Sequence, residues 1–289
     1  MKEMAGKVVV ITGGNTGIGK EAAVALAGRG AEVVITSRNE ERGRAAREEI
    51  AERSGNDSVD VMSLDLASFR SIRSFAADVL DRFDHLDVLV NNAGLILYRR
   101  AETQEGFEET FGVNHLGQFL LTDLLLERLR ASAPSRVVVV SSGAHKGARR
   151  GLDFDDLQSE QKYKWMDAYN KSKLANIYFT RELARRLDGT GVTANALHPG
   201  FVRSEFGRGG DLGGIYGWGI KYLASPFAIS SEKGALTSIY LASSPEVEGV
   251  SGGYFYKCKP SVPSRMAQDD DAAGRLWDAS EKLVASAPA

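Results

Sequence analysis

The sequence has 289 residues, of which 43% are hydrophobic, and its formal net charge at pH 7 is -2. This length suits one large α/β domain or two small ones, and the apolar fraction is sufficient for a sizeable core. The nearly balanced charge argues against a nucleic-acid-binding surface and against a strongly cationic membrane face. The single cysteine, Cys258, excludes an internal disulfide framework and a multi-cysteine metal site.

Short runs rich in β-branched residues alternate with segments of helical character along the chain. The predicted strands are residues 8–12, 32–37, 59–64, 86–91, 136–141, 192–197 and 253–256. Several of them are almost continuously apolar, which is typical of strands covered by helices on both faces. The alternation of β and α units predicts an α/β fold with a doubly wound parallel sheet of about seven strands and right-handed crossovers.

One segment, residues 201–231, departs from this alternation. It is crowded with glycine and with aromatic residues, among them Phe206 and Trp218. Interdomain linkers seldom carry so many aromatic side chains. We interpret the segment as a substrate lid that packs on an apolar ligand, with ordinary core packing as the alternative.

A glycine-rich loop follows the first predicted strand and opens a helix. Gly13, Gly17 and Gly19 stand in the spacing G-x-x-x-G-x-G. Glycine lets the backbone turn tightly and approach a pyrophosphate closely, and the N–H groups at a helix start favour an anion. The strand–loop–helix context favours dinucleotide binding over a plain glycine turn.

The end of the second predicted strand bears on the choice between NAD and NADP. A carboxylate there would hydrogen-bond the adenosine ribose 2′-hydroxyl, but the chain offers Thr36, Ser37 and Arg38, with no acid before Glu40. An arginine with neighbouring hydroxyls can hold a 2′-phosphate through charge-assisted hydrogen bonds. We therefore expect NADP(H), while a solvated arginine at a strand end is the alternative.

Tyr169 and Lys173 are four residues apart in a predicted helix, and of the nine tyrosines only Tyr169 has a lysine at this spacing. Side chains at i and i+4 lie on the same helix face. A nearby ammonium lowers the pKa of a phenol, which is otherwise near 10 and too high for a base at neutral pH. The pair alone is compatible with two polar residues that share a face, whereas the glycine loop favours catalysis.

Several motifs, in their order along the chain, resemble those of the short-chain dehydrogenase/reductase family of the classical type. The matching stretches are Thr12-Gly13 through Gly19, Asp65-Leu66, Asn91-Asn92-Ala93-Gly94, Asn114, Ser141-Ser142, Tyr169/Lys173 and Pro199-Gly200. Three segments are most similar to sequences of the retinol dehydrogenase subgroup: "TGGNTGIGKE", "VNHLGQFLLT" and "YNKSKLANIYFTRELARRLDGTGV". The resemblance implies a single Rossmann-fold domain over residues 1–289, with the lid at about 201–231.

The resemblance also implies catalytic roles. Tyr169 would be the acid/base, Lys173 would lower its pKa and bind the nicotinamide ribose, and Ser142 would hydrogen-bond the substrate oxygen. Asn114 would hold a water for proton relay, with polar packing inside a helix as its alternative. The substrate would contact Ser142, Tyr169, Phe206 and Trp218.

Cofactor binding is implied for a longer set of residues. The set comprises Gly13, Asn15, Thr16, Gly17, Ile18, Gly19, Arg38, Asp65, Leu66, Asn91, Ala93, Gly94, Tyr169, Lys173, Pro199, Gly200, Val202 and Ser204. Within it, Asp65 would contact the adenine amine, with a turn or helix-entry role as the alternative. His115, His145 and His198 lack a metal-binding spacing, so we interpret them as packing or surface residues and expect no metal.

We therefore predict an NADP-dependent oxidoreductase that acts on a small-molecule carbonyl or alcohol, such as a lipophilic aldehyde or ketone. One alternative is a non-catalytic NADP(H)-binding sensor or scaffold. Another is a nucleotide-sugar epimerase, for which the 90 residues after Pro199 leave little room for a sugar-binding domain.

The cellular location and the assembly are expected from weaker signals. Animal members of the retinol dehydrogenase subgroup commonly carry a hydrophobic N-terminal anchor, whereas this chain reaches its first predicted strand at residue 8. We expect no membrane anchor, no nucleic-acid partner and a cytoplasmic location. Many family members are dimers or tetramers, so the resemblance implies a homodimer or a homotetramer.

Overall fold

A computed structural model describes residues 2–202 and 228–287. Its strands are β1 (Val8–Ile11), β2 (Glu32–Ser37), β3 (Val59–Ser63), β4 (Val88–Asn91), β5 (Ser135–Val140), β6 (Val192–Leu197), β7 (Tyr254–Tyr256) and β8 (Lys259–Pro260). They form one sheet in the order β3-β2-β1-β4-β5-β6-β7-β8, in which β1 to β7 are parallel. The predicted α/β class and parallel sheet are confirmed.

The sheet has one short strand, β8, in addition to the seven that were predicted. β8 pairs antiparallel with β7 across a tight turn in which Lys257 and Cys258 have φ of 51° and 59°. Positive φ at both central residues is the geometry of a two-residue hairpin, which usually requires Gly or Asn. Neither residue type is present in this turn, so the sequence carried no hairpin signal.

The helices are α1 (Gly17–Gly28), α2 (Glu40–Ser54), α3 (Phe69–Arg82), α4 (Glu109–Phe111), α5 (Gly117–Ala131), α6 (Trp165–Arg186), α7 (Ser231–Ser243) and α8 (Asp270–Ser286). A π-helix, Gly112–Leu116, joins α4 to α5. Two of these helices begin at side-chain N-caps: the side chain of Asn39 accepts from the Arg42 N–H, and that of Ser68 accepts from the Ser71 N–H.

Alternate residues of the central strands enter two separate cores, one on each face of the sheet. Val8 and Val10 of β1 pack with α3, α5, α6 and α8, whereas Val9 and Ile11 pack with α1, α2 and α7. Successive side chains of a strand point to opposite faces, so an uninterrupted apolar strand is stable only when helices cover both faces. The doubly wound arrangement follows from this pattern.

The parallel sheet brings the ends of its strands to a single edge. Gly13, Arg38, Asp65, Ser142 and Pro199 follow the ends of β1, β2, β3, β5 and β6. β1 lies between β2 and β4, where the strand order reverses. Ligands of doubly wound sheets bind in the crevice at such a reversal, outside the carboxyl ends of the strands.

In residues 2–202 and 228–287, no helix has both the length and the apolar character needed to cross a membrane. Most of the predicted lid, including Ser204, Phe206 and Trp218, lies outside the described residues.

Candidate active site

The glycine loop between β1 and α1 has the backbone that a bound pyrophosphate requires. Gly13 and Gly17 have φ of 64° and 53°, in the left-handed region. A Cβ on Gly19 would lie 2.5 Å from the Gly13 carbonyl oxygen, so only glycine fits without movement. The N-cap of α1, Thr16, makes no side-chain capping bond, and the first turn of the helix holds no acid. The helix start is thus suited to an anion.

Asn92 and Thr12 hold this loop against the end of β4, a role that sequence reasoning did not assign to them. The Asn92 side-chain amide donates to the carbonyl oxygens of Thr12 (2.8 Å) and Gly13 (3.3 Å). The Thr12 hydroxyl in turn accepts from the N–H groups of Asn92 and Ala93. Both residues lie inside the stretches that resemble the short-chain dehydrogenase/reductase family. Their place in those stretches was the signal in the sequence that could have indicated this role.

The close packing of Gly19 predicts a specific effect of adding one methyl group. We expect Gly19→Ala to lower the free energy of unfolding by about 1–3 kcal/mol, since the Cβ meets backbone, and to weaken NADPH binding. Gly28→Ala in the same helix is the control, because its Cβ would have only ordinary contacts, at 3.8 Å or more. Urea unfolding and NADPH fluorescence titration measure both effects. Wild-type values for Gly19→Ala would contradict the assigned fit.

At the end of β2, the hydroxyls of Thr36 and Ser37 already form hydrogen bonds within the protein, whereas the Arg38 guanidinium is available to a ligand. The Thr36 hydroxyl accepts from the Gly13 N–H at 3.1 Å, and the Ser37 hydroxyl donates to the Asn39 carbonyl at 2.8 Å. Arg38 is exposed and has no ion pair within the described residues. The expected 2′-phosphate contact therefore falls on the guanidinium, while the hydroxyls shape the loop.

The remaining cofactor candidates of the first half of the chain lie at the ends of β3 and β4. Asp65 accepts from the Ala67 N–H, a turn contact of the kind that was its alternative interpretation. Leu66 is buried. The Asn91 amide donates to Thr122 of α5 and is fully buried, so its side chain braces the end of β4 against α5. Ala93 accepts from the Gln118 side chain through its carbonyl.

Ser142, Tyr169 and Lys173 come together next to β5. The Ser142 hydroxyl shares a hydrogen bond with the Tyr169 side chain. Lys173 Nζ lies 5.9 Å from the centre of the Tyr169 ring and donates to the Val140 carbonyl at 3.2 Å. Ser141, by contrast, donates its hydroxyl to the Lys173 carbonyl at 2.7 Å. Of the two adjacent serines, Ser142 is the one that faces the tyrosine.

Burial changes the acidity of both members of the pair. It raises the pKa of Tyr169, and the hydrogen bond with Ser142 works in the opposite direction. It also lowers the pKa of Lys173, to about 8. The expected lowering of the Tyr169 pKa is thus not the net result in this structure, because desolvation disfavours the charged forms of both groups.

The lowered pKa of Lys173 has a consequence for stability. An unfolded chain holds this proton up to about pH 10.5, so between about pH 8 and that value the unfolded state binds more protons, and stability rises with pH. From about pH 7 to about pH 9.5, wild type should gain about 2 kcal/mol relative to Lys173→Met in urea unfolding. Measured against Lys171→Met, a variant two residues away, wild type should show no such gain in stability. Parallel curves for wild type and Lys173→Met would contradict the shift.

Asn114 lies in the π-helix and all three of its hydrogen bonds are within the protein. Its Oδ1 accepts from the Leu95 N–H, and its Nδ2 donates to the Leu95 carbonyl and to Ser172. A Cβ added at Gly94 would lie 3.1 Å from both Asn114 Oδ1 and Lys173 Nζ. The absence of a side chain at Gly94 thus lets its backbone pass close to both side chains.

The last group of candidates follows β6. Gly200 has φ of 93°, which favours glycine at this turn. Val202 packs close to Ile18 of the glycine loop, since both approach Gly234 of α7. Pro199 precedes Gly200 directly, whereas Ser204 lies outside the described residues. The structure therefore joins the first and last cofactor segments of the described chain.

An aromatic pair that sequence reasoning missed lies one helical turn before Tyr169. The rings of Trp165 and Tyr98 are 4.7 Å apart, and both are half-buried. Trp165 precedes Tyr169 by four residues, so the two share a face of α6. That spacing was the signal in the sequence. The pair, here called the Tyr98–Trp165 wall, places two aromatic rings one helical turn from Tyr169.

Comparisons with known proteins agree with this geometry. Residues 7–153 match the family model described as short chain dehydrogenase. Human retinol dehydrogenase 14 is 48% identical over 97% of this chain and 87% of the relative. Human retinol dehydrogenase 12 is 49% identical over 98% of this chain and 87% of its own length.

Solved structures give the same result. A crystal structure of an uncharacterized protein from Mycobacterium paratuberculosis has a TM-score of 0.78 and 36% identity, covering 99% of this chain and 96% of that one. The Pseudomonas aeruginosa RhlG/NADP active-site complex has a TM-score of 0.69 and 26% identity, covering 88% and 96%. The chain belongs to the short-chain dehydrogenase/reductase family and, within it, to the retinol dehydrogenase subgroup, and it is an NAD(P)-dependent oxidoreductase that acts on CH–OH or C=O groups.

Proposed function

We propose that this oxidoreductase uses NADP(H) and acts on lipophilic aldehydes or ketones and their alcohols. The observation that carries the proposal is the contact of Ser142 with Tyr169, beside the buried Lys173, at the strand edge that also bears the glycine loop and Arg38. The nicotinamide supplies or takes up the hydride when it is bound.

The protein side of the reaction follows from the positions of the three side chains. The Ser142 hydroxyl orients and polarises the substrate oxygen. The phenol of Tyr169, whose pKa burial raises above its ordinary value, is protonated at neutral pH and is thus in the form that gives a proton to that oxygen. Lys173 would bind the nicotinamide ribose and, as an ammonium, favour the phenolate that remains after proton transfer.

NADP is favoured over NAD by the environment of Arg38. Its guanidinium is exposed at the end of β2, and the neighbouring Thr36 and Ser37 offer no carboxylate to a ribose hydroxyl. A free guanidinium is suited to a 2′-phosphate, which it can bind through two parallel hydrogen bonds. The neighbour that carries NADP in its active site supports the same choice.

An apolar substrate is favoured by the Tyr98–Trp165 wall and by the relatives. Trp165 stands on the face of α6 that carries Tyr169, and the Tyr98 ring packs against Trp165. The related human enzymes are named for retinol, a lipophilic alcohol. A cytoplasmic location and a homodimeric or homotetrameric assembly remain predictions from the sequence.

A carbonyl panel tests the substrate class. We expect NADPH-dependent reduction of all-trans-retinal and decanal with kcat/KM at least about 100-fold above that of propanal, because each buried methylene contributes about 0.8 kcal/mol. Equal kcat/KM values for decanal and propanal would contradict the proposal that the substrates are lipophilic. No turnover of any carbonyl by protein that binds NADPH would instead favour a sensor or scaffold.

A further inference from the structure

A buried polar cluster lies directly behind Ser142 and has no part in the chemistry described above. It consists of His145, Tyr254 and His198, and extends from the segment after β5, through β7, to the residue before Pro199. The His198 ring stacks on Tyr254 and Tyr256, with ring centres 5.4 and 4.1 Å apart. This cluster, the His145 cluster, connects the substrate-binding serine to the segment expected to bind the nicotinamide.

The protonation of His145 follows from its partners. The Ser264 backbone N–H donates to His145 Nε2 at 3.0 Å, and a ring nitrogen that accepts carries no proton. Burial lowers the pKa of His145, so the ring is neutral and its single proton is on Nδ1. Nδ1 lies 2.7 Å from the Ser142 carbonyl oxygen, which can only accept.

The protonation of His145 also sets the direction of its contact with Tyr254. His145 Nδ1 is also 3.3 Å from the Tyr254 hydroxyl oxygen, which must accept there. The Tyr254 proton is therefore free to reach His198 Nδ1 at 2.8 Å. Burial lowers the pKa of His198 to about 4, so the ring is neutral at neutral pH, and in the tautomer with its proton on Nε2 the Nδ1 atom accepts from Tyr254.

Ser142 is held at its carbonyl by two donors from one residue. Both the backbone N–H of His145, at 3.1 Å, and its Nδ1–H bind the Ser142 carbonyl oxygen. The Ser142 hydroxyl accepts from the Ala144 N–H at 3.1 Å, which leaves its own proton for the site. The direction of the Ser142 hydroxyl thus depends on the short turn from Ser142 to His145. The His145 side chain holds this turn through its bond to the Ser142 carbonyl.

We propose that His145 is a positioning residue for the reaction: its Nδ1–H fixes the Ser142 carbonyl and so keeps the Ser142 hydroxyl directed at Tyr169 and the substrate oxygen. This inference rests on the proposed role of Ser142. A misplacement of about 1 Å at a reacting group costs roughly 100-fold in rate, which sets the scale of the expected effect.

Three substitutions separate positioning from packing. In His145→Asn, the amide Nδ2 stands where Nδ1 stood and can still donate to the Ser142 carbonyl. In His145→Gln, the longer side chain places its amide near the former Nε2 and can keep only the contact with Ser264. His145→Phe keeps the ring volume and loses both contacts.

The variants are assayed for kcat and KM with decanal, for NADPH affinity by fluorescence titration, and for thermal stability. We expect kcat to fall about tenfold or more in His145→Phe and His145→Gln, and to stay within about threefold of wild type in His145→Asn, with NADPH affinity unchanged in all three. Wild-type kcat in His145→Phe, or rescue by glutamine in place of asparagine, would overturn the proposal. Loss of turnover in wild type itself would remove the proposed function and this inference together.

A measurement on wild-type protein covers the case in which the variants do not fold. ¹⁵N chemical shifts of the histidine rings distinguish a protonated from an unprotonated ring nitrogen. We expect a protonated Nδ1 and an unprotonated Nε2 in His145 at neutral pH. A proton on Nε2 would leave the His145 ring without a donor for the Ser142 carbonyl and would overturn the proposal without any substitution.

Discussion

Replacing Tyr169 with phenylalanine is expected to lower kcat for decanal reduction by about 100- to 10,000-fold, the contribution typical of a general acid. The Tyr169 hydroxyl is hydrogen-bonded to Ser142, the residue expected to hold the substrate oxygen. Affinity for NADPH should change by less than about threefold, because the aromatic ring beside Lys173 is kept. Steady-state kinetics and fluorescence titration measure the two quantities separately.

Tyr178→Phe is the matched control for this substitution. Tyr178 belongs to the same helix, α6, is fully buried, and donates its hydroxyl to the Met266 carbonyl at 2.7 Å. Its loss should cost about 1 kcal/mol of stability and leave kcat unchanged. If Tyr169→Phe kept wild-type turnover, Tyr169 would not be the general acid. The roles assigned to Ser142 and Lys173 beside it would then fall as well.

Arg38→Asp is expected to reverse the cofactor preference, with the NADP/NAD ratio of kcat/KM falling by at least about 100-fold. The substitution removes a charge-assisted hydrogen bond that contributes about 1.5–3 kcal/mol. It also places a carboxylate where one would repel a 2′-phosphate and accept from a ribose 2′-hydroxyl. The kinetics with each cofactor at fixed decanal concentration give the ratio.

Arg44→Asp provides the same change of charge a short distance along α2. Arg44 is exposed and pairs with Glu40 at 3.3 Å, so its replacement should leave the ratio within about twofold. An unchanged ratio in Arg38→Asp would refute the role of Arg38, whatever the activity of the variant.

The sheet could be predicted from sequence because each central strand is an uninterrupted apolar run, and only helices on both faces can cover such a run. β8 could not be predicted in the same way. It has two residues and depends on a turn in which Lys257 and Cys258, neither of them a usual turn residue, adopt positive φ. The conformation of such a turn is fixed by what surrounds it, and a sequence pattern does not contain that information.

The site was predictable where residue identity alone limits the chemistry. Gly19 and the spacing of Tyr169 and Lys173 are of this kind. Roles that depend on the hydrogen-bond partner of a polar atom were not predictable. The Asn91 side chain donates to Thr122 of α5, and the His145 ring binds the Ser142 carbonyl in addition to packing. The net pKa shift of Tyr169 belongs to the same class, since desolvation is a property of the folded protein.

Transfer of deuterium from labelled cofactor tests the central claim most directly. NADPH carrying deuterium on one or the other face of nicotinamide C4 is incubated with the protein and decanal, and the alcohol is analysed by mass spectrometry. We predict that one of the two labelled forms delivers its deuterium to the product in wild type and that Tyr169→Phe delivers almost none. Tight NADPH binding without label in the alcohol from either form would contradict the account and identify a dinucleotide-binding protein that is not an enzyme.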